Sequence, residues 1–152
     1  MKFLNKKEKA EIERKLNEQF GIETIPGNLI KMGEERIFFY QGDLTENTIE
    51  ELRQNVFIER AGVYFARDVD GFIRLSIEGS QILKDQITKN IFELNDELAE
   101  EWMKGHELPI ATGKHCFLIM KHGEDFLGTG KASESKIGNF IPKNRRLREK
   151  RN

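Results

Sequence analysis

The stretch from His115 to Arg146 constrains the fold more than any other part of the chain. It contains an apolar run, Cys116 to Met120, followed by a turn that includes Gly123. A second short run extends from Asp125 to Gly130, and two such runs joined by a glycine-containing turn predict a β-hairpin. A cluster of basic residues between Lys143 and Arg148 follows. A hairpin that leads into a basic tail is typical of a nucleic-acid surface and contains no evident reaction centre.

The overall charge of -1 hides an asymmetry along the 152 residues. From position 111 onward there are ten Lys and Arg against four Asp and Glu, a net charge of +6. The first 110 residues hold fifteen basic and twenty-two acidic residues, a net charge of -7. A basic end on an acidic body indicates a polyanionic partner, although a solvated basic tail remains the alternative.

Cysteine content and hydropathy predict the compartment. Cys116 is the only cysteine, so no intramolecular disulfide can form and a reducing environment is expected. The N-terminal residues lack the apolar core of a signal peptide, and the longest apolar run is far too short to span a bilayer. We therefore expect a soluble, cytoplasmic protein.

Residues 1–75 are predicted to form a small α+β domain with an antiparallel sheet. Ile12, Leu16 and Phe20 share one face of a helix from Lys6 to Phe20, and Gly21 follows as its C-cap. Thr48 caps a second short helix that extends to about residue 54. Strands are predicted at residues 23–25, 28–31, 36–41, 56–60, 63–67 and 72–75.

Residues 76–152 are predicted to form a second domain, a small mixed β-barrel with short helices. Ser76 caps a helix that extends to Leu83, and a strand follows over residues 87–94. Asn95-Asp96 caps a helix that Gly105 ends. Four or five short strands and two short helices complete the domain. Because no Pro- or Gly-rich linker separates the halves, we expect them to pack together.

Enzymatic and metal sites find little support in the sequence. His115 and Cys116 fall on opposite faces of a strand, as do His115 and His122, and no CxxC or helical i, i+4 ligand pair occurs. No P-loop and no Rossmann glycine fingerprint is present. We therefore expect no metal, no cofactor, no small-molecule substrate and no catalytic residue.

Basic residues in the second half give the strongest functional signal, because Lys and Arg neutralise phosphates. They are Lys114, Lys121, Lys131, Lys136, Lys143, Arg145, Arg146 and Arg148. Phe140 could stack on a base, but its position before Ile141 favours burial.

Several strings between Ser76 and Arg146 resemble a PUA domain, an RNA-binding module. They are 79–83 (GSQIL), 87–91 (ITKNI), the helix ending in 101–105 (EWMKG), 121–131 (KHGEDFLGTGK) and 139–146 (NFIPKNRR). The last string is similar to the C-terminal PUA-like domain of Sun-type RNA cytosine-5 methyltransferases and of archaeal stand-alone relatives. A smaller α+β domain in front of a PUA domain also resembles the layout of some ribosome-biogenesis factors.

The resemblance implies a pseudobarrel that holds RNA between its first helix and its later strands. It places Gly79, Ser80, Gln81 and Lys89 on one side of the RNA, and Lys121, Lys131, Lys143, Arg145 and Arg146 on the other. We add Lys136 from the basic set. Where many PUA domains have a glycine-rich turn after the first helix, this chain has Lys84-Asp85-Gln86, and Asp85 is unfavourable beside phosphate.

These observations lead to two hypotheses. The first is a non-catalytic protein that recognises structured rRNA or tRNA in ribosome biogenesis or RNA modification, with an RNA-modifying enzyme or assembly factor as a further partner. The second is a protein–protein adaptor or targeting subunit of such an enzyme that makes no direct RNA contact. The methyltransferases carry a Rossmann domain with catalytic cysteines, and neither is found in this sequence. A small hydrolase is disfavoured by the strand parity of the histidines and Cys116.

Overall fold

The structure is a computed structural model, and it describes residues 1–42 and 62–148. The helix predicted after Thr48 and the strand predicted at residues 56–60 lie outside these ranges.

The first helix, α1 (Lys6–Phe20), begins and ends where the sequence predicts. Asn5 is its N-cap and forms a capping box with Glu8, which satisfies backbone donors of the first turn. Ile12, Leu16 and Phe20 are buried on one face. Gly21 ends the helix in the left-handed conformation, with φ of 79°.

Five antiparallel strands form an N-terminal sheet in the order of the chain. They are β1 (Lys2–Phe3), β2 (Asn28–Met32), β3 (Arg36–Tyr40), β4 (Val63–Val69) and β5 (Phe72–Leu75). β1 is a two-residue edge strand that the sequence did not predict. The prediction of a strand at residues 23–25 is wrong, because side-chain oxygens, and not a neighbouring strand, accept hydrogen bonds from its backbone N–H groups. Gln86 accepts from Glu23 and Thr24, and Glu13 accepts from Ile25.

Four strands form a curled C-terminal sheet in the order of the chain, and only its first two strands pair in parallel. The elements of this half are α2 (Ile77–Ile82), β6 (Ile91–Glu93), α3 (Asp96–Met103), β7 (Phe117–His122), β8 (Asp125–Ala132) and β9 (Ile137–Gly138). The strand predicted at residues 87–94 is shortened to β6, since Lys84–Gln86 forms a 3₁₀ turn and Asn90 has a φ of 56°. The predicted hairpin is confirmed. The class is α+β, with a pseudobarrel in the second half.

The two halves share one hydrophobic core. A buried cluster includes Phe20 and Leu75 from the first half and Leu83, Phe117 and Ile119 from the second. A second cluster surrounds Trp102, which is completely buried and donates to the Leu127 carbonyl at 2.9 Å. The expected packing of the halves is therefore confirmed, while the domain boundary between residues 75 and 76 stays a prediction. No helix in the described ranges combines the length and apolarity needed to cross a bilayer.

Candidate nucleic-acid interface

Gly79 is placed in α2 against the backbone of β4. Ser76 is the N-cap of α2, and its hydroxyl accepts from the Gly79 N–H at 3.0 Å. A Cβ atom on Gly79 would lie 2.2 Å from the carbonyl oxygen of Phe65. Glycine therefore allows a close approach of helix and strand at this position.

Ser80 joins α2 to β8. Its hydroxyl donates to the Ile77 carbonyl at 2.8 Å and accepts from the Gly128 N–H at 3.1 Å. The side chain is completely buried. Gly79 and Ser80 are thus both buried, and their contacts are with the protein itself.

Gln81 and Lys89 are the two exposed members of the first predicted group. The Gln81 amide donates to the Phe126 carbonyl at 3.4 Å, so it lies over the start of β8. Lys89 has no ion-pair partner among the residues that the structure describes. These two side chains are the ones on this flank that can reach a ligand.

Three predicted cations are paired with carboxylates. Lys121 lies 3.8 Å from Glu93, and Lys136 lies 3.0 Å from Glu107. Arg145 pairs with Glu78 at the start of α2. Such surface pairs are weak and open at little cost, so the cations can exchange a carboxylate for a phosphate.

Arg146 anchors the tail to α3. Its Nε donates to the Ile141 carbonyl at 2.9 Å, and its side chain crosses Gly105, where a Cβ atom would meet the Nε at 2.3 Å. The next N–H, of Leu147, donates to the Met103 carbonyl at 2.7 Å. Lys143 is exposed and has no ion-pair partner within residues 1–42 and 62–148.

A surface that joins both sheets brings together aromatic rings and cations. We call it the aromatic–basic cleft, and it consists of Phe72, Arg74, Phe117, Lys131 and Phe140. The Arg74 guanidinium lies 4.0 Å from the ring centroid of Phe140, and the Lys131 ammonium lies 4.9 Å from that of Phe117. The two rings meet edge to face at 6.3 Å. Both cations are within cation–π range.

The cleft encloses about 440 Å³ and also includes Val69 and Asp70 in its lining. Phe72 is 58% exposed and Phe140 is 39% exposed, so both rings reach the surface, with Arg74 over one face of the Phe140 ring. Neither Arg74 nor Lys131 forms an ion pair with a described residue. Aromatic faces beside unpaired cations are the arrangement that binds unstacked bases and phosphates.

Sequence reasoning missed most of this cleft. The expected burial of Phe140 is wrong, and Phe72 and Arg74 were not predicted as site residues. The signal was present in the alternation of β5, where Ile73 and Leu75 are buried and Phe72 and Arg74 face outward. Of the predicted residues, only Lys131 lies in the cleft.

Two histidines contact carboxylates. His122 lies 2.8 Å from Asp96, and His106 contacts Glu101. The hydrogen bond from His106 holds the pKa of Glu101 below its ordinary value. Within the described part of the chain, no three side chains of the metal-ligating types come together.

Residues 89–147 match the family model described as the methyltransferase RsmF PUA domain. This part of the chain is a PUA domain. The predicted relationship to the PUA domain of Sun-type methyltransferases is thereby confirmed. No curated protein matches the chain.

The PUA domain supplies Phe117, Lys131 and Phe140 to the cleft, whereas Phe72 and Arg74 precede the matched residues. A PUA domain indicates RNA binding as the general class of function. The cleft thus combines a surface of the PUA domain with the last strand of the N-terminal sheet.

Proposed function

We propose that the protein binds structured rRNA or tRNA without catalysing a reaction, and that it acts in the cytoplasm in ribosome biogenesis or RNA modification. The PUA domain supports the RNA part of this proposal. The single observation that carries it furthest is the aromatic–basic cleft, where Arg74 and Lys131 lie over aromatic rings and have no carboxylate partner among the described residues.

Two kinds of contact would hold the RNA. The Arg74 and Lys131 cations neutralise phosphates and set affinity, and Arg145 joins them when its pair with Glu78 opens. The exposed ring of Phe140 stacks on a base that is unpaired, as in a loop, a bulge or an end of a structured RNA. Asp70 also lines the cleft, and its carboxylate repels phosphate, which favours a base at that place.

A binding role rather than a catalytic one is favoured by the chemistry of the chain. The methyltransferases to which the PUA domain is related use catalytic cysteines, and this sequence has one cysteine, Cys116. In an RNA-modification pathway, the protein would therefore bring RNA or an enzyme to the reaction.

A salt titration tests the proposal. The protein is titrated with total tRNA and with rRNA fragments at several salt concentrations. The Lys131→Gln variant is measured in parallel under the same conditions. We expect affinity to fall steeply with salt, and the variant to bind more weakly with a slope of log K against log salt reduced by about 0.7 to 0.9. The matched control is Lys9→Gln on α1, which removes the same charge outside the cleft.

Absence of binding at low salt would contradict the proposal and would favour the protein–protein adaptor. Tight, salt-sensitive binding that Lys131→Gln leaves unchanged would retain RNA binding but remove the cleft as its site.

A further inference from the structure

Three arginines form one row across the N-terminal sheet. Arg36 of β3 is directly opposite Arg67 of β4, and Arg67 is directly opposite Arg74 of β5. Residues opposite each other in an antiparallel sheet project from the same face. Ile37, the neighbour of Arg36 along β3, is completely buried on the core side, so the row lies on the outer face.

The row is electrostatically unfavourable by itself. Strands are spaced about 4.8 Å apart, so three guanidinium-bearing positions fall within about 10 Å, and like charges directly opposite destabilise a sheet. Glu35 lies 3.2 Å from Arg67 and offsets one of the three charges. Arg36 and Arg74 have no carboxylate partner in residues 1–42 and 62–148. A folded chain that leaves two of three adjacent arginines without a carboxylate partner breaks a rule of sheet stability, which is expected at functional sites.

The row continues into the aromatic–basic cleft. Its last member, Arg74, is the residue whose guanidinium covers the Phe140 ring at 4.0 Å. Arg67 is 37% exposed and Arg36 is exposed, and Arg74 lines the cleft together with Phe72 and Lys131. One band of positive charge thus extends from β3 of the N-terminal sheet to β8 of the PUA domain.

We infer that the outer face of the N-terminal sheet is a second part of the RNA site, where Arg36, Arg67 and Arg74 bind phosphates next to the segment held by the PUA domain. This inference rests on the proposed function. It assigns the N-terminal sheet a direct role in RNA binding. Arginine suits the role because its planar fork can bind two phosphate oxygens at once and stays charged at every physiological pH.

A pair of substitutions on opposite faces of the same sheet tests the inference. Arg36→Gln removes one charge from the end of the row furthest from the PUA domain. Lys31→Gln removes one charge from the opposite face, because Lys31 is paired with the core residue Ile37. The full chain is titrated with the RNA that binds best in the salt experiment, and the thermal transition of each variant is measured to confirm folding.

We expect Arg36→Gln to weaken RNA binding severalfold and to reduce the salt slope by about 0.7 to 0.9, the loss of one phosphate contact. Lys31→Gln should bind like the wild type. Arg36→Gln binding that equals the wild type, while Lys131→Gln binds weakly, would overturn the inference and leave the proposed function intact. Absence of RNA binding by the wild type would contradict both the inference and the proposed function. An equal effect of both Gln variants would also overturn the inference, because it would reflect net charge alone.

Discussion

A few buried polar contacts decide where the candidate site lies. The Ser80 hydroxyl accepts a hydrogen bond from β8, and the absence of a side chain on Gly79 lets α2 approach β4 closely. This places Glu78 beside Arg145 at the surface. Gly79 and Ser80, which the resemblance to PUA domains placed beside RNA, therefore position the backbone near the exposed cations. Whether such a residue supports the fold or contacts a ligand depends on its burial, which a motif cannot reveal.

We expect Gly79→Ala to destabilise the protein by about 1–3 kcal/mol, because the new methyl group would meet the Phe65 carbonyl oxygen. Helix propensity alone would make alanine favourable at this helical position by about 1 kcal/mol. The sign of the change thus separates the two effects in a urea unfolding experiment. Gly138→Ala is the control, since its nearest neighbours would be 3.8 Å away. A stabilised Gly79→Ala would contradict the close contact.

At the scale of elements, α1 shows how a helix start becomes sensitive to pH. Glu8 accepts from the Asn5 N–H at 3.1 Å and pairs with the Lys2 ammonium. The hydrogen bond from Lys2, followed by that from Asn5, lowers the pKa of Glu8. A carboxyl whose pKa is lowered by folding stabilises the native state above its unfolded pKa, and this contribution is lost as pH falls through the folded pKa.

Glu8→Gln should therefore destabilise the protein more at pH 6 than at pH 3. Glutamine can keep the capping box but cannot titrate or pair with Lys2. The free energy of unfolding is measured by urea titration across this range for both proteins. A difference that stays constant with pH would contradict the assignment.

Elements with strong local signals were predictable, and short ones were not. Ser76, Asn95 and Gly21 mark helix ends through their own backbone and side-chain chemistry, so α1, α2 and α3 were found. β1 and β9 have two residues each and exist only because neighbouring strands bind them. The same limit applied to the site. Positive charge was visible in the sequence, but the pairing of Arg145 with Glu78 and the exposure of Phe140 depend on tertiary structure.

At the scale of the whole molecule, the two halves depend on each other for burial. Phe117, Ile119 and Phe126 of the C-terminal sheet belong to the same cluster as Leu16 and Phe20 of α1. Backbone and side-chain hydrogen bonds also cross between the halves, since the Thr88 N–H and the Asn90 amide donate to carbonyls at the end of α1.

We expect the halves to unfold in one cooperative transition, because opening either one would expose the shared core. Circular dichroism and fluorescence should give coincident urea midpoints. Two separated transitions would show that the core between the halves contributes little.

The placement of Trp102 allows the association of the two halves to be followed by intrinsic fluorescence. The single tryptophan of the chain is sealed in the core of the PUA domain, whereas both tyrosines, Tyr40 and Tyr64, belong to strands of the N-terminal sheet. Each half thus carries its own chromophore without any labelling. Energy transfer from the excited tyrosines to Trp102 would report the distance between the two halves. Its loss on titration with RNA or urea would reveal their separation within the intact chain.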